Sequence, residues 1–153
     1  EMSASLVGSE MCIETADTQY AAHWLLEQGY DEITLLGALG GARLEHTLAN
    51  LATGLYLAKN GVNVLLANER SELQYLVPGR ELILQRRDWK YLSLFPMEGR
   101  LTGVCIRGAF YPLENAVLTA DYPLGVSNEF IADTAQLQCS GGCGLVVLTR
   151  DDA

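Results

Sequence analysis

Glu32-Ile33-Thr34-Leu35-Leu36-Gly37-Ala38-Leu39-Gly40-Gly41-Ala42-Arg43-Leu44-Glu45-His46-Thr47-Leu48-Ala49-Asn50 passes from an apolar stretch, through three glycines, into a helix-like pattern. Residues 32–37 read as a buried strand. Residue 46 to about residue 60 reads as a helix, with Leu48, Leu51, Leu55 and Leu57 apolar and Gly61 at its end. Residues 62–67 are apolar again, as in a second buried strand. Strand, glycine loop, helix, strand is a βαβ unit, with parallel strands and a right-handed crossover. Such a loop is where an α/β protein presents groups to a ligand. Glycine lets backbone N–H groups approach an anion closely, and the helix start adds its positive dipole end. A phosphate or pyrophosphate ligand is the first expectation.

Upstream of this unit, the first dozen residues read as irregular, with a short strand ending near Ile13. Asp17 or Thr18 is expected to cap a helix running to about Gln28, with Ala21, Ala22, Leu25 and Leu26 toward the core and Gly29 as its stop. The opening Glu1-Met2-Ser3-Ala4-Ser5 has neither a leading methionine nor the basic start of a secretory leader. The chain is therefore expected to continue an upstream segment. One βαβ unit does not make a stable sheet, so further strands are expected there.

Downstream, the pattern changes near residues 68–71. Short apolar or alternating runs (73–77, 81–85, 91–95, 103–108, 116–119, 136–139 and 145–149) are separated by turn signals such as Pro78-Gly79 and Gly141-Gly142. This predicts an antiparallel sandwich or barrel. The expected architecture is α/β followed by all-β. A partial Rossmann-like parallel α/β domain spans residues 1–69 and an antiparallel β-sandwich spans 70–153.

The 153 residues are 49% hydrophobic, enough for a sizeable core, and no apolar run is long enough to span a membrane. A net charge of −9 argues against general nucleic-acid binding, which needs a basic face. None of the four cysteines, Cys12, Cys105, Cys139 and Cys143, forms a Cys-x-x-Cys pair. They read as reduced thiols packed as small apolar groups, which fits a cytoplasmic protein.

Four matches, in order along the chain, resemble the thiamine pyrophosphokinase family. Gly37 through Asn50 resembles the family signature GALGGRLDHTLAN. Leu124-Gly125-Val126-Ser127-Asn128-Glu129-Phe130 resembles its G-x-S-N-E-F run. Tyr91-Leu92-Ser93-Leu94-Phe95-Pro96, Gly103-Val104 and Tyr111-Pro112-Leu113 resemble its S-L-F-P, G-V and Y-P-L spacing. Glu14-Thr15-Ala16-Asp17-Thr18 is a weaker match to D-x-T-D-x. The resemblance implies an α/β domain followed by a β-sandwich. It also implies a homodimer with sites between the α/β part of one subunit and the sandwich of the other. The implied reaction is magnesium-dependent transfer of pyrophosphate from ATP to the hydroxyethyl group of thiamine, giving thiamine diphosphate and AMP.

The resemblance gives each matched residue a role, and ordinary structure offers a plainer one. Asp17 is implied as a catalytic carboxylate near the metal or nucleotide; as plain structure it caps a helix. Arg43 is the expected phosphate or nucleotide ligand, because a guanidinium matches oxyanions in bidentate fashion. Glu45, where the family usually has Asp, would orient a metal-bound water, the thiamine hydroxyl or Arg43. As plain structure it is an acid favoured by the helix dipole. Gly40, Gly41 and His46 are expected on the phosphate side. Ser127 and Asn128 are expected to contact thiamine, although Ser-Asn is also ordinary turn chemistry. Tyr111 or Phe130 is a stacking candidate, core packing being the commoner fate of such rings.

The chain also departs from the family. No stretch matches its G-D-x-D-S magnesium motif, Ile13 stands near the place of a lysine, and Ala42 is an extra residue between the glycines and Arg43. Three readings follow: the C-terminal part of an active enzyme, a divergent homologue that binds thiamine or its phosphates without efficient turnover, or a structural protein whose glycine loop is only a turn.

Overall fold

The structure, a computed structural model, describes residues 13–151. The expected irregular start, and Cys12 with it, lies outside the described residues. Helix α1 (Ile13–Glu27), strand β1 (Glu32–Leu36), helix α2 (Leu44–Lys59) and strand β2 (Asn63–Ala67) come first. Then follow β3 (Ser71–Leu76), β4 (Leu82–Gln85), β5 (Tyr91–Pro96), β6 (Arg100–Arg107), β7 (Leu113–Thr119), β8 (Asn128–Glu129), β9 (Thr134–Gln138) and β10 (Gly144–Thr149).

Both helices stop at a glycine for the same reason. The Gly29 and Tyr30 N–H groups donate to the carbonyls of Leu26 and Leu25, and those of Gly61 and Val62 donate to Ala58 and Leu57. This paired pattern satisfies the last carbonyls of a helix that ends just before a glycine. The start of α1 corrects the sequence expectation. The helix begins at Ile13, so Asp17 and Thr18 lie inside it and neither caps it. Ala22 of α1 is fully buried, but Ala21 is exposed.

The strands form two sheets, ordered β1-β2-β3-β10-β5-β8 and β4-β9-β6-β7. Only β1 and β2 pair in parallel among the named strand pairs, with Ile33 opposite Val64; every other pairing is antiparallel. The protein is therefore mostly β, with two sheets and two helices among the described residues. The parallel part of the expected α/β domain amounts to one βαβ unit. The change of pattern near residues 68–71 falls in the β2–β3 turn, where the Ser71 carbonyl accepts from the Asn68 N–H and Asn68 Oδ1 accepts from the N–H groups of Arg70 and Ser71.

Alternation along shared strands lets one sheet serve two cores, because successive side chains point to opposite faces. In β10, Val146 and Leu148 enter the core between the sheets, with Leu94, Leu101, Ile106 and Leu137. Leu145 and Val147 face the second core, formed with Ala22, Leu57 and Leu66. The helices, the six-stranded sheet and the four-stranded sheet make three layers.

Tyr75 of β3 joins the helix layer to the shared sheet. Its hydroxyl donates to the Leu51 carbonyl at 2.6 Å. A Cβ on Gly54 would lie 2.5 Å from that hydroxyl, so only glycine allows this approach. Burial pushes the Tyr75 phenol well above its ordinary value. Between the helices, Thr53 Oγ1 donates to Gln19 Oε1 at 2.8 Å, and His23 Nδ1 lies 3.0 Å from the Tyr56 hydroxyl. No helix of the described residues is long and apolar enough to cross a membrane.

Candidate functional site

The loop between β1 and α2 surrounds a cavity of about 370 Å³ lined by Thr18, Gly37, Ala38, Gly40, Gly41, Ala42, Arg43, His46 and Asn50. Gly40 and Gly41 have φ of +87° and +90°, a backbone region that disfavours residues with a Cβ. A Cβ at either position would meet nothing within 4 Å. The glycines are thus required by backbone shape, and the space beside them is open.

Two side chains one turn apart on α2 hold this loop. Thr47 Oγ1 accepts from the Gly40 N–H at 3.1 Å and donates to the Gly40 carbonyl at 3.2 Å. Asn50 Nδ2 donates to the Ala38 carbonyl at 3.0 Å. Asn50 therefore reaches back from α2 to the loop. Thr47 was not singled out by its chemistry. Its spacing of three residues from Asn50, on one helix face, is the signal that marks the pair.

Arg43 occupies the N-cap position of α2, with extended backbone and no side-chain cap bond. Its Nε–H donates to Glu45 Oε1 at 2.7 Å, both side chains being exposed. That hydrogen bond holds the Glu45 carboxyl below its ordinary value. Glu45 is thus in contact with Arg43, one of the partners expected for it. His46, in the first turn of α2, lines the cavity with its Nε2 buried. Asp17 is exposed on α1, next in sequence to the cavity-lining Thr18. No group of three or more His, Cys, Asp or Glu that could hold a metal ion exists among the described residues. The described donor set therefore does not fit a magnesium site on its own.

A second cavity, of about 420 Å³, opens on the sandwich and is lined by Ile106, Tyr111, Pro112, Leu113, Leu124, Gly125, Val126 and Asn128. Its loop is fastened to β5. The Leu94 N–H donates to the Gly125 carbonyl at 2.8 Å, and the Ser127 N–H donates to Ser93 Oγ at 3.0 Å. Ser127 has φ +59°, an uncommon conformation for a residue with a side chain, and is exposed beside the cavity. Asn128 is buried, and its amide bonds to backbone groups of Tyr111 and Glu129. Phe130 is also buried, within the sandwich core, so of the two stacking candidates only Tyr111 is exposed. Ser93 was quoted only as part of a motif; its contact with a residue 34 positions away is not visible in sequence.

The expected site residues thus separate into two groups. Gly40, Gly41, Arg43 and His46 line the first cavity, with Glu45 bonded to Arg43. Asn128 lines the second and Ser127 neighbours it. The glycine loop leaves β1, and Asn128 lies on β8, the opposite edge of the six-stranded sheet. Five inter-strand spacings amount to about 24 Å.

Comparison with known proteins agrees with this architecture. Residues 81–144 match the family model described as thiamin pyrophosphokinase, vitamin B1 binding domain. The thiamine pyrophosphokinase of Bacillus subtilis (strain 168) is 26% identical over 138 residues, covering 90% of this chain and 64% of that protein. A crystal structure of thiamine pyrophosphokinase from Bacillus subtilis superposes with a TM-score of 0.80 at 26% identity, over 87% of this chain and 62% of that one. One from Geobacillus thermodenitrificans gives a TM-score of 0.78 at 26% identity, over 88% and 61%. The chain spans slightly less than two-thirds of the length of these relatives. Together with the ordered motifs, these matches support a member of the thiamine pyrophosphokinase family.

Proposed function

We propose that the protein transfers pyrophosphate from ATP to thiamine, giving thiamine diphosphate and AMP. The glycine-loop cavity serves as the phosphate half and the sandwich cavity as the thiamine half. The thiamine hydroxyl oxygen bonds to the β-phosphorus, the bond from that phosphorus to the α-phosphate bridging oxygen breaks, AMP leaves, and the hydroxyl proton is released. Such chemistry needs positive charge around the transferring group and reacting atoms about 3–3.5 Å apart. The start of α2 and Arg43 supply that charge, with Glu45 orienting the guanidinium. Gly40 and Gly41 shape the cradle, and His46 contacts the phosphates. Asp17 is the acid proposed on the nucleotide side and, with donors beyond those described, at the magnesium ion. Ser127 offers its hydroxyl to the aminopyrimidine.

The observation that carries this reading is the separation of a glycine-lined, arginine-bearing cavity from an apolar one at opposite edges of one sheet. A molecule the size of thiamine does not bridge about 24 Å, and this favours a second copy bringing its sandwich to the glycine loop. We therefore propose a homodimer, with residues 1–69 acting on phosphate and 70–153 on thiamine. Cys105, Cys139 and Cys143 are free and buried. Burial pushes Cys143 up to about 11 and raises Cys139, leaving inert thiols that suit the cytoplasm.

Incubating the intact protein with ATP, magnesium and thiamine, and measuring AMP and thiamine diphosphate, tests the proposal. Equal yields of both products are expected. Thiamine binding without AMP would instead support a binding homologue. That second reading has one observation in its favour: Arg43 follows the extra Ala42 and is turned to Glu45.

A further inference from the structure

Asn128 is 6% exposed, and each polar atom of its side-chain amide has a backbone partner. Its Oδ1 accepts from the Tyr111 N–H at 2.9 Å and from the Glu129 N–H at 3.0 Å. Its Nδ2 donates to the Tyr111 carbonyl at 2.8 Å. Two N–H donors and one carbonyl fix which end of the amide is oxygen. The side chain thus grips both polar groups of a residue 17 positions away, at the end of the loop before β7. Tyr111 is 65% exposed and lines the apolar cavity, with its ring packed edge-on to Phe110 at 4.9 Å. An exposed aromatic on a loop is ordinarily free to move, whereas this backbone is clamped on both sides. Burial and three hydrogen bonds leave the amide little capacity for a ligand.

We propose that Asn128 is a positioning residue that fixes Tyr111 as an aromatic wall of the cavity, against which a flat heteroaromatic ring packs. The inference rests on reading this cavity as the thiamine half. It moves Asn128 from contacting the ligand to acting through Tyr111. Gly125 and Ser93 complete the frame from the other side. A Cβ on Gly125 would lie 2.5 Å from the Leu94 carbonyl oxygen, and Ser93 holds the Ser127 backbone. Both keep the loop that leads into Asn128 flat against β5.

Calorimetry of thiamine binding to the intact wild type, Asn128→Asp, Tyr111→Ala and the double variant separates the two roles. Asn128→Asp keeps the two acceptor contacts and loses the donor to the Tyr111 carbonyl. Each single substitution is expected to weaken thiamine binding about tenfold. The double variant is expected to bind within about twofold of Tyr111→Ala alone, because coupled residues are non-additive. A loss equal to the product of the two single losses would overturn the positioning role while leaving the thiamine reading intact. Failure of the wild type to bind thiamine would overturn both. Hydrogen exchange of the wild type needs no variant: the Tyr111 amide should exchange slowly despite its exposed side chain, and exchange at the rate of an open loop would overturn the clamp.

Discussion

The two cavities are similar in volume, about 370 and 420 Å³, and opposite in construction. The first is built from one contiguous stretch, residues 37–50, with Thr18 added from α1. Its walls are glycine backbone, a helix start, an arginine and a histidine. The second is assembled from β6, the segment before β7, and the loop before β8, and most of its lining is apolar. A phosphate site needs backbone and charge, which one loop supplies. A site for an aromatic ring needs apolar walls at fixed distances, and these come from strands far apart in sequence.

Substitutions should affect one cavity without the other, and the largest effect is expected on the phosphate side. Arg43→Ala should lower turnover about a hundredfold or more, as loss of transition-state charge stabilisation does, with thiamine affinity unchanged. Steady-state kinetics with calorimetry checks this; unchanged turnover would remove Arg43 from the site. Gly54→Ala should destabilise the fold by about 1–3 kcal/mol, because its Cβ overlaps the Tyr75 hydroxyl. Denaturant unfolding reads this directly, and equal stability would show that Tyr75 can move. Ser127→Ala should raise the thiamine KM several-fold and leave the ATP KM alone; an effect confined to ATP would contradict the division between the halves.

The smallest effect is expected at the exposed Arg43–Glu45 pair. Arg43 lowers the Glu45 carboxyl below its ordinary value of 4.5. A lowered acid contributes above its unfolded value and loses that contribution as pH falls through the folded one. The pair should therefore persist through neutral pH and break only below 4.5. Glu45→Gln should leave stability at pH 7 nearly unchanged, because surface pairs contribute little. A large drop in melting temperature would show that Glu45 has a further partner.

Local chemistry was legible in the sequence. The glycine loop, the stops at Gly29 and Gly61, and most strands of the sandwich follow from turn residues and alternation. The start of α1 was not, because Asp17 and Thr18 carry cap chemistry at positions where the helix has already begun. Strand β8 escaped notice because two residues show no alternation. The sharing of β3 and β10 between two cores follows from pairing partners rather than from either strand alone. Gly40, Gly41, Arg43 and His46 line one cavity because they are near neighbours in sequence. The clamp by Asn128, the hold by Ser93 and the burial of Phe130 depend on contacts across strands, which spacing along the chain does not encode.

Subunit mixing tests the central claim of two halves joined across a dimer. One variant carries Arg43→Ala and the other carries Tyr111→Ala with Ser127→Ala, assayed at thiamine well below the second variant's raised KM so that each is nearly inactive alone. Random reassociation puts half of the dimers in mixed form, each with one intact site, so activity should recover to about a quarter of wild type. Recovery to that level supports a site shared between subunits; a mixture as inactive as its components would contradict it.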